Sequence, residues 1–173
     1  MKKYEFTGET KTVPLLFGDV TLHRIQAITS FANVVAGELG GWIEKEENLS
    51  HGGNARVSGN AEVSGNAWVR DNARVRDNAE VKGNAEVKGN AQVRDNAHVF
   101  STRHVLVIGA IGSRDAFTTF YRDKDNEITV KCGCFSGKID KFLEKVAQTH
   151  GDSKYAQVYK KAVELAKLQI LTD

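Results

Sequence analysis

The sequence has little of what disulfide-linked, metal-binding or membrane proteins are built from. Its 173 residues include two cysteines and one proline, and no apolar stretch approaches the roughly 20 residues needed to span a bilayer. The start, MKKYEFTGET, has no apolar run after its lysines and so lacks the pattern of a secretory signal. We therefore expect a soluble cytoplasmic protein with no membrane partner.

The two cysteines offer little chemistry on their own. Cys132 and Cys134 stand two apart in a predicted strand, so that both side chains point to the same side. Neighbouring cysteines of one strand rarely form a disulfide, and His150 is the only histidine after them. A structural zinc ion takes four ligands. We expect a reduced pair, no metal and no cofactor.

Charge of neither sign dominates the sequence. There are 24 Lys and Arg residues against 22 Asp and Glu, a formal net charge of +2. This weak bias permits an acidic partner without requiring one. It disfavours a protein that imitates DNA with a surface of carboxylates.

Eight consecutive hexapeptides run from Gly53 to Phe100 without an insertion or deletion. Such a short fixed period is typical of a solenoid. Ala and Val stand two apart in each unit, so on an extended strand both face inward, while the residues beside them face outward. Gly or Asp followed by Asn suits a corner with left-handed backbone angles. Val105 and Ile111 keep the same six-residue spacing, which predicts a solenoid over residues 53–112.

The segments on both sides are predicted to cover the open ends of the solenoid. Residues 1–52 form a β-rich cap, with strands at Tyr4 and Phe6 and over Val20–Ile28, and with Trp42 and Ile43 closing the first coil. Residues 113–173 form an α/β module. Its predicted elements are a hairpin of Phe117–Arg122 with Ile128–Cys134, a helix capped by Ser136 and a helix capped by Ser153.

Written from its aliphatic residue, the unit V-x-[GD]-N-A-x resembles the signature of left-handed parallel β-helices. The resemblance implies that three hexapeptides close one triangular coil. The fold class we expect is therefore mainly β with an α+β tail: a short left-handed parallel β-helix, an N-terminal β-rich cap, and a C-terminal hairpin with two helices.

Both flanks of the repeat also resemble known sequences. The lead-in LGGWIEKEENLS resembles uncharacterised bacterial and phage-borne hexapeptide-repeat proteins. The segments GAIGSRDAFTTFYR, VKCGCFSG and THGDSKYAQVYKKAVELA resemble a small α/β module from phages and mobile elements. This resemblance implies a phage or mobile-element protein that interferes with a host defence system, such as a CRISPR nuclease.

One wall of the predicted coil is rich in arginine. With eighteen residues to a coil, Arg56 and Arg74 stack in one column, and Arg76 and Arg94 in the next. Forked guanidinium donors suit phosphates or carboxylates, so the wall is a candidate for a nucleic-acid backbone or an acidic protein surface. The alternative is that aspartates at the corners, Asp71 and Asp77, pair with Arg74 and Arg76 and keep the wall soluble.

Two large aromatic residues, Trp68 and Phe100, break the otherwise polar outer positions of the repeat. Exposed aromatic groups of this size are either covered or used. We expect them to be covered by the terminal modules, to contact a partner protein, or to contact another copy in a homo-oligomer.

Catalysis is the competing interpretation. Hexapeptide acyltransferases use a histidine as general base, and the candidates are His51, His98 and His104. The repeat has no excursion loop, and His98 occupies an ordinary outward position. We therefore predict a non-catalytic binding protein, with an acyltransferase or a virion assembly protein as alternatives. The turn Gly112-Ser113-Arg114 is either a simple exit turn or a grip for a phosphate-bearing small molecule.

Overall fold

The computed structural model describes residues 1–15 and 18–170. Antiparallel strands at the N-terminus lead into a β-solenoid, and an antiparallel sheet with two helices follows it. This architecture confirms the predicted fold class. Among the described residues, no helix is long and apolar enough to cross a membrane.

The solenoid has one two-residue strand in each hexapeptide. Parallel pairing joins strands eighteen residues apart, as in Arg56 opposite Arg74 and Val63 opposite Val81. The result is three parallel sheets and roughly three coils. The strands are β4 (Arg56–Val57), β5 (Glu62–Val63), β6 (Trp68–Val69), β7 (Arg74–Val75), β8 (Glu80–Val81), β9 (Glu86–Val87), β10 (Gln92–Val93) and β11 (His98–Val99).

The interior and the corners of the solenoid are built by the repeated residues. Every Ala and Val from Ala55 to Val99 is at most 2% exposed. At the corners, side-chain amides bond from coil to coil: Asn54 Nδ2 donates to Asn72 Oδ1 over 3.1 Å, and Asn72 Nδ2 donates to Asn90 Oδ1 over 3.3 Å. Each coil is therefore fixed to the next by an apolar column, a backbone ladder and an amide ladder.

Glycine is required at some corners for space as well as for conformation. Gly53 and Gly89 have nearly the same φ, +62° and +63°. A Cβ at position 53 would lie 2.4 Å from the carbonyl oxygen of Asp71, whereas a Cβ at position 89 would meet nothing within 4 Å.

We expect Gly53→Ala to lower the melting temperature more than Gly89→Ala. Both substitutions bear the cost of a left-handed alanine, about 1–2 kcal/mol, and only the first also displaces backbone. Thermal unfolding followed by circular dichroism measures both variants. Equal losses would contradict the close approach of the two coils at this corner.

The N-terminal cap contains three strands, β1 (Tyr4–Val13), β2 (Val20–Ala27) and β3 (Leu39–Ile43). They pair antiparallel in that order, and β3 then pairs parallel with β5. The strands predicted from Tyr4 and from Val20 are confirmed. Ile43 lies opposite Val63, and Leu49 bridges to Val69, so the lead-in forms part of an additional coil.

The prediction that Trp42 and Ile43 close the first coil is confirmed for Ile43 and was wrong for Trp42. Trp42 lies opposite Glu62 on the outer side of the wall, because its neighbour Ile43 takes the inward position. The Trp42 ring is instead covered by Lys11 Nζ, 4.5 Å from its centroid, and by the Arg24 guanidinium, 5.1 Å away. Ile43 fills the first coil, together with three other buried residues: Tyr4, Ile25 and Leu49.

The C-terminal module is a four-stranded antiparallel sheet in sequence order, packed against two helices. The predicted hairpin and both predicted helices are confirmed, but the second strand of the hairpin ends at Cys132. Cys134 lies in the turn after it, so the prediction that the two cysteines share a strand was wrong. The elements are β12 (Val105–Ile111), β13 (Ala116–Arg122), β14 (Ile128–Cys132), β15 (Phe135–Lys138), α1 (Ile139–His150) and α2 (Lys154–Ile170).

Two predictions at this end were wrong. Val105 belongs to the solenoid core, but Ile111 packs into the core of the C-terminal module, because β12 pairs antiparallel with β13 rather than with a coil. Ser136 lies in β15, where its hydroxyl donates to Asp95 over 2.7 Å. It does not cap α1, whose first residue follows Lys138.

The module is attached directly to the last coil. The Thr119 hydroxyl accepts from the backbone N–H of Gln92 over 3.1 Å, and the backbone N–H of Lys124 donates to the Asn96 carbonyl over 3.0 Å. Tyr121 is fully buried in the solenoid core, and its hydroxyl donates to Asp95. The hairpin therefore closes the open end of the solenoid, and it also stands beside the arginine-rich wall.

Candidate nucleic-acid interface

The sheet β4-β7-β10 carries the arginines singled out in the sequence. Arg56, Arg74 and Gln92 are directly opposite one another in the parallel register. Arg76 and Arg94 follow the inward valines of β7 and β10 on the same wall. We call this surface the arginine wall.

Corner aspartates neutralise one column of the wall. Arg94 Nε lies 3.2 Å from Asp77 Oδ2 and 3.2 Å from Asp95 Oδ1, so its charge is doubly compensated. Arg76 Nε is farther from Asp77, at 3.9 Å, and its side chain is 44% exposed. The alternative interpretation was that corner aspartates pair with the arginines of the wall. It holds fully for Arg94 and only in part for Arg76.

The other column keeps its charge. Asp71 turns away from Arg74: its carboxylate accepts from Arg70 Nη1 over 3.3 Å and from the backbone N–H of Gly89 over 2.9 Å. Within residues 1–15 and 18–170, no carboxylate forms an ion pair with Arg74. The predicted Arg74–Asp71 pair does not form because Asp71 bonds within its own corner and to the coil below.

The Arg56 guanidinium is partly buried and lies close to other positive charges. Its Nη1 is buried and has no hydrogen-bond partner among the described residues. Burial lowers the pKa of the Arg56 guanidinium, and the nearby charges of Arg74 and Arg76 lower it further, while the carboxylate of Glu38 opposes them without reversing the shift. Like charges are therefore concentrated here, and an anion would relieve their repulsion.

The C-terminal hairpin turns this part of the wall into a groove. The groove is a cavity of about 290 Å³. One side carries Arg74, Gln92 and two members of the amide ladder, Asn72 and Asn90. The other side carries Phe117, which is 43% exposed, with Ala116 and Gly133. A cation, amides and an accessible aromatic ring thus face one cavity.

A further cation belongs to the same region. Lys131 of β14 is only 6% exposed, and its ammonium group donates to the carbonyls of Gly133 and Phe135. Burial lowers the pKa of Lys131, and the charges of Arg94 and Arg76 lower it further. The repeat pattern could not predict Phe117 or Lys131, because their position beside the wall depends on how the hairpin docks.

The two outward aromatic residues lie on other faces of the solenoid. Trp68 is on the β6-β9 sheet, with the Arg70 guanidinium 4.9 Å from its ring centroid. Phe100 follows β11, where it stacks on His98 at 5.2 Å between ring centroids. They are 43% and 42% exposed, so neither is covered by the terminal modules, and neither joins the arginine wall.

The three candidate histidines all have structural contacts. His51 Nδ1 accepts from the backbone N–H of Lys3 and stacks on Tyr4. His98 lies 3.7 Å from Glu80 on the outer wall. His104 is 6% exposed, and its Nδ1 accepts from the backbone N–H of Phe100. None of the three lines the groove beside the arginine wall.

No protein-family model matches the chain, and no curated protein matches it significantly.

Proposed function

We propose that the protein is a non-catalytic binding protein that holds a single strand of nucleic acid along the groove between the arginine wall and the C-terminal hairpin. The observation that carries the proposal is Arg74, a guanidinium with no acidic partner among the described residues, facing the exposed ring of Phe117 across one cavity. Phosphate binds the first of these groups and a base stacks on the second.

The composition of the groove favours a nucleic acid over an acidic protein surface. An acidic protein surface would need only the arginines, because carboxylates pair with guanidinium groups and do not stack on an aromatic ring. Asn72 and Asn90 add amide donors and acceptors that can meet base edges or sugar hydroxyls. Single strands present bases free to stack, whereas a duplex does not.

The resemblance of the flanking segments to phage-borne sequences extends this proposal. A phage protein that occupies single-stranded nucleic acid would block a defence nuclease, such as a CRISPR effector, from its nucleic-acid path. Trp68 and Phe100 lie outside the groove, and we propose them as contacts to a partner protein or to another copy of the chain.

We expect the double variant Arg74→Glu/Arg76→Glu to bind a fluorescently labelled 12-nucleotide strand at least about 100-fold more weakly than the unmodified protein. The slope of log affinity against log salt should also fall, by about 0.7 for Arg74 alone and by up to about 1.4 if Arg76 also contacts a phosphate, because neutralising each phosphate of a single strand contributes about 0.7 to it. Fluorescence anisotropy over a salt series measures both quantities.

Phe117→Ala should lower the affinity for the same strand about tenfold. It should leave the slope against salt unchanged, because stacking releases no counterions.

The matched control is Arg103→Glu/Lys160→Glu, which makes the same change in net charge at two exposed positions away from the groove. It should retain most of the affinity. If the control and the wall variant bind equally well, the groove is not the site. If the unmodified protein binds no single strand at low salt, the proposed function is wrong.

A further inference from the structure

The C-terminal module contains a second cavity, separate from the arginine wall, with a volume of about 270 Å³. Its floor is aromatic: Phe142 of α1 and Tyr159 of α2 meet edge to face, with ring centroids 5.4 Å apart and planes at 86°. Its rim carries Arg114, Lys145 and His150. The turn before β13, the turn between β14 and β15, and both helices converge on it.

The rim is positively charged and has no acidic counterpart. No Asp or Glu lines the cavity. Among residues 1–15 and 18–170, no carboxylate pairs with Arg114 or Lys145, although other lysines on both helices are paired, as Lys141 is with Glu144. Two free cations at the mouth of an aromatic pocket are a site for an anionic group attached to an apolar body.

The turn that carries Arg114 is held in place by the pocket itself. Gly112, with φ +78°, lies so close to the Tyr159 hydroxyl that a side chain at position 112 would overlap the ring. That hydroxyl also lies 3.7 Å from Cys132 Sγ. This close contact fixes the backbone of the turn beside the cavity, so the Arg114 side chain starts at its rim.

We infer that this cavity binds a small organic phosphate with a flat aromatic body, of the size of a nucleoside monophosphate. The volume is near the lower end of the roughly 300–1,000 Å³ usual for ligand pockets, which suits one such molecule and not a polymer. The guanidinium and ammonium groups would hold the phosphate. The half-buried Phe135 ring would pack against the base, together with the edges of Phe142 and Tyr159, which are 3% and 6% exposed.

This site is independent of the proposed function. The groove beside the arginine wall and the cavity have Ala116 and Gly133 as common lining residues, but they have no charged residue in common. Arg74→Glu/Arg76→Glu should therefore leave binding in the cavity unchanged, and Arg114→Gln should leave strand binding on the wall largely intact.

Isothermal titration of the whole chain tests the inference, with the four common nucleoside monophosphates, inorganic phosphate and adenosine as separate ligands. At least one monophosphate should bind about tenfold or more tightly than both phosphate and adenosine. Arg114→Gln should weaken binding of that monophosphate about tenfold or more, since a charged hydrogen-bonding partner is removed. The control Lys160→Gln, at an exposed position of α2 outside the cavity, should not change it.

Alkylation gives a second readout that does not depend on a variant. Cys134 is exposed and lines the cavity, so a bound nucleotide should slow its reaction with iodoacetamide, as followed by mass spectrometry. Three results would overturn the inference: no monophosphate bound at millimolar concentration, inorganic phosphate bound as tightly as the nucleotide, or a folded Arg114→Gln protein with unchanged affinity.

Discussion

Val81→Asp is expected to unfold the solenoid. Val81 is completely buried in the middle coil, with Val63 and Val99 directly opposite it in the neighbouring coils. A carboxylate there has no polar partner, and burying an unpaired charge costs several kcal/mol even when the group takes up a proton. Domains of this size are stabilised by only about 5–15 kcal/mol in total, so the loss is comparable to the whole.

Urea unfolding followed by circular dichroism measures this effect, and Glu80→Asp is the control. Glu80 is the adjacent outward residue, so the control places the same side chain on the surface of the same strand. It should cost less than about 1 kcal/mol, the usual worth of a surface ion pair. If Val81→Asp unfolded at nearly the same urea concentration as the control, the inward column would not be a continuous core.

Asp123→Ala is expected to destabilise the C-terminal module by about 2–4 kcal/mol, because it removes a buried acceptor and leaves its donors unsatisfied, at about 1–3 kcal/mol for each buried group. The Asp123 carboxylate is 4% exposed and accepts from Lys138 Nζ over 2.6 Å and from the Thr129 hydroxyl over 2.8 Å. It also accepts from two backbone N–H groups, those of Asp125 and Glu127. The same residue bridges to Ala97, so the link to the last coil should weaken as well.

Asp125→Ala is the control for this substitution, because Asp125 is 60% exposed at its side chain and lies 3.6 Å from the same lysine. It should change the free energy of unfolding little. Comparable losses from both substitutions would mean that Lys138 is stabilised by the acidic turn as a whole rather than by the buried carboxylate.

The contribution of Asp123 should depend on pH in a defined direction. Burial raises the pKa of its carboxyl, but the hydrogen bonds from Lys138, Thr129 and the backbone outweigh this and hold the pKa below the usual value of 3.8. Because the pKa is lower in the folded state than in the unfolded state, the stabilisation is complete above about pH 4 to 5 and is lost as pH falls through the folded-state pKa. The difference in melting temperature between the unmodified protein and Asp123→Asn should narrow below pH 3.8.

Local patterns predicted most of the elements of this fold. The hexapeptide period placed the eight short strands, and the apolar spacing at Ile139, Phe142 and Val146 placed α1 with the buried face it has. The failures occurred where two local interpretations were equally good. Ile111 has the correct spacing for another coil and also the correct alternation for an antiparallel strand, and pairing with β13 decided between them.

The sequence predicted which arginines of the candidate site stack on one another, but not which of them are paired with a carboxylate. The parallel register places Arg56 over Arg74, as a coil of eighteen residues requires. Whether Arg74 is paired could not be read from the sequence, since Asp71 is close enough in the chain to reach either Arg70 or Arg74. The structure resolves this in favour of Arg70, and the charge of Arg74 is left facing Phe117.

The sequence by itself determined the solenoid: which residues face inward, where each corner falls and which outward residues share a column. It could do so because every one of these features repeats at a fixed short distance along the chain, and the backbone geometry of an extended strand converts that distance into a direction. Only the tertiary structure decided what stands opposite the arginines and how the second cavity is closed. Both depend on contacts between residues far apart in the chain, such as Gln92 with Thr119 and Gly112 with Tyr159, for which no local pattern exists.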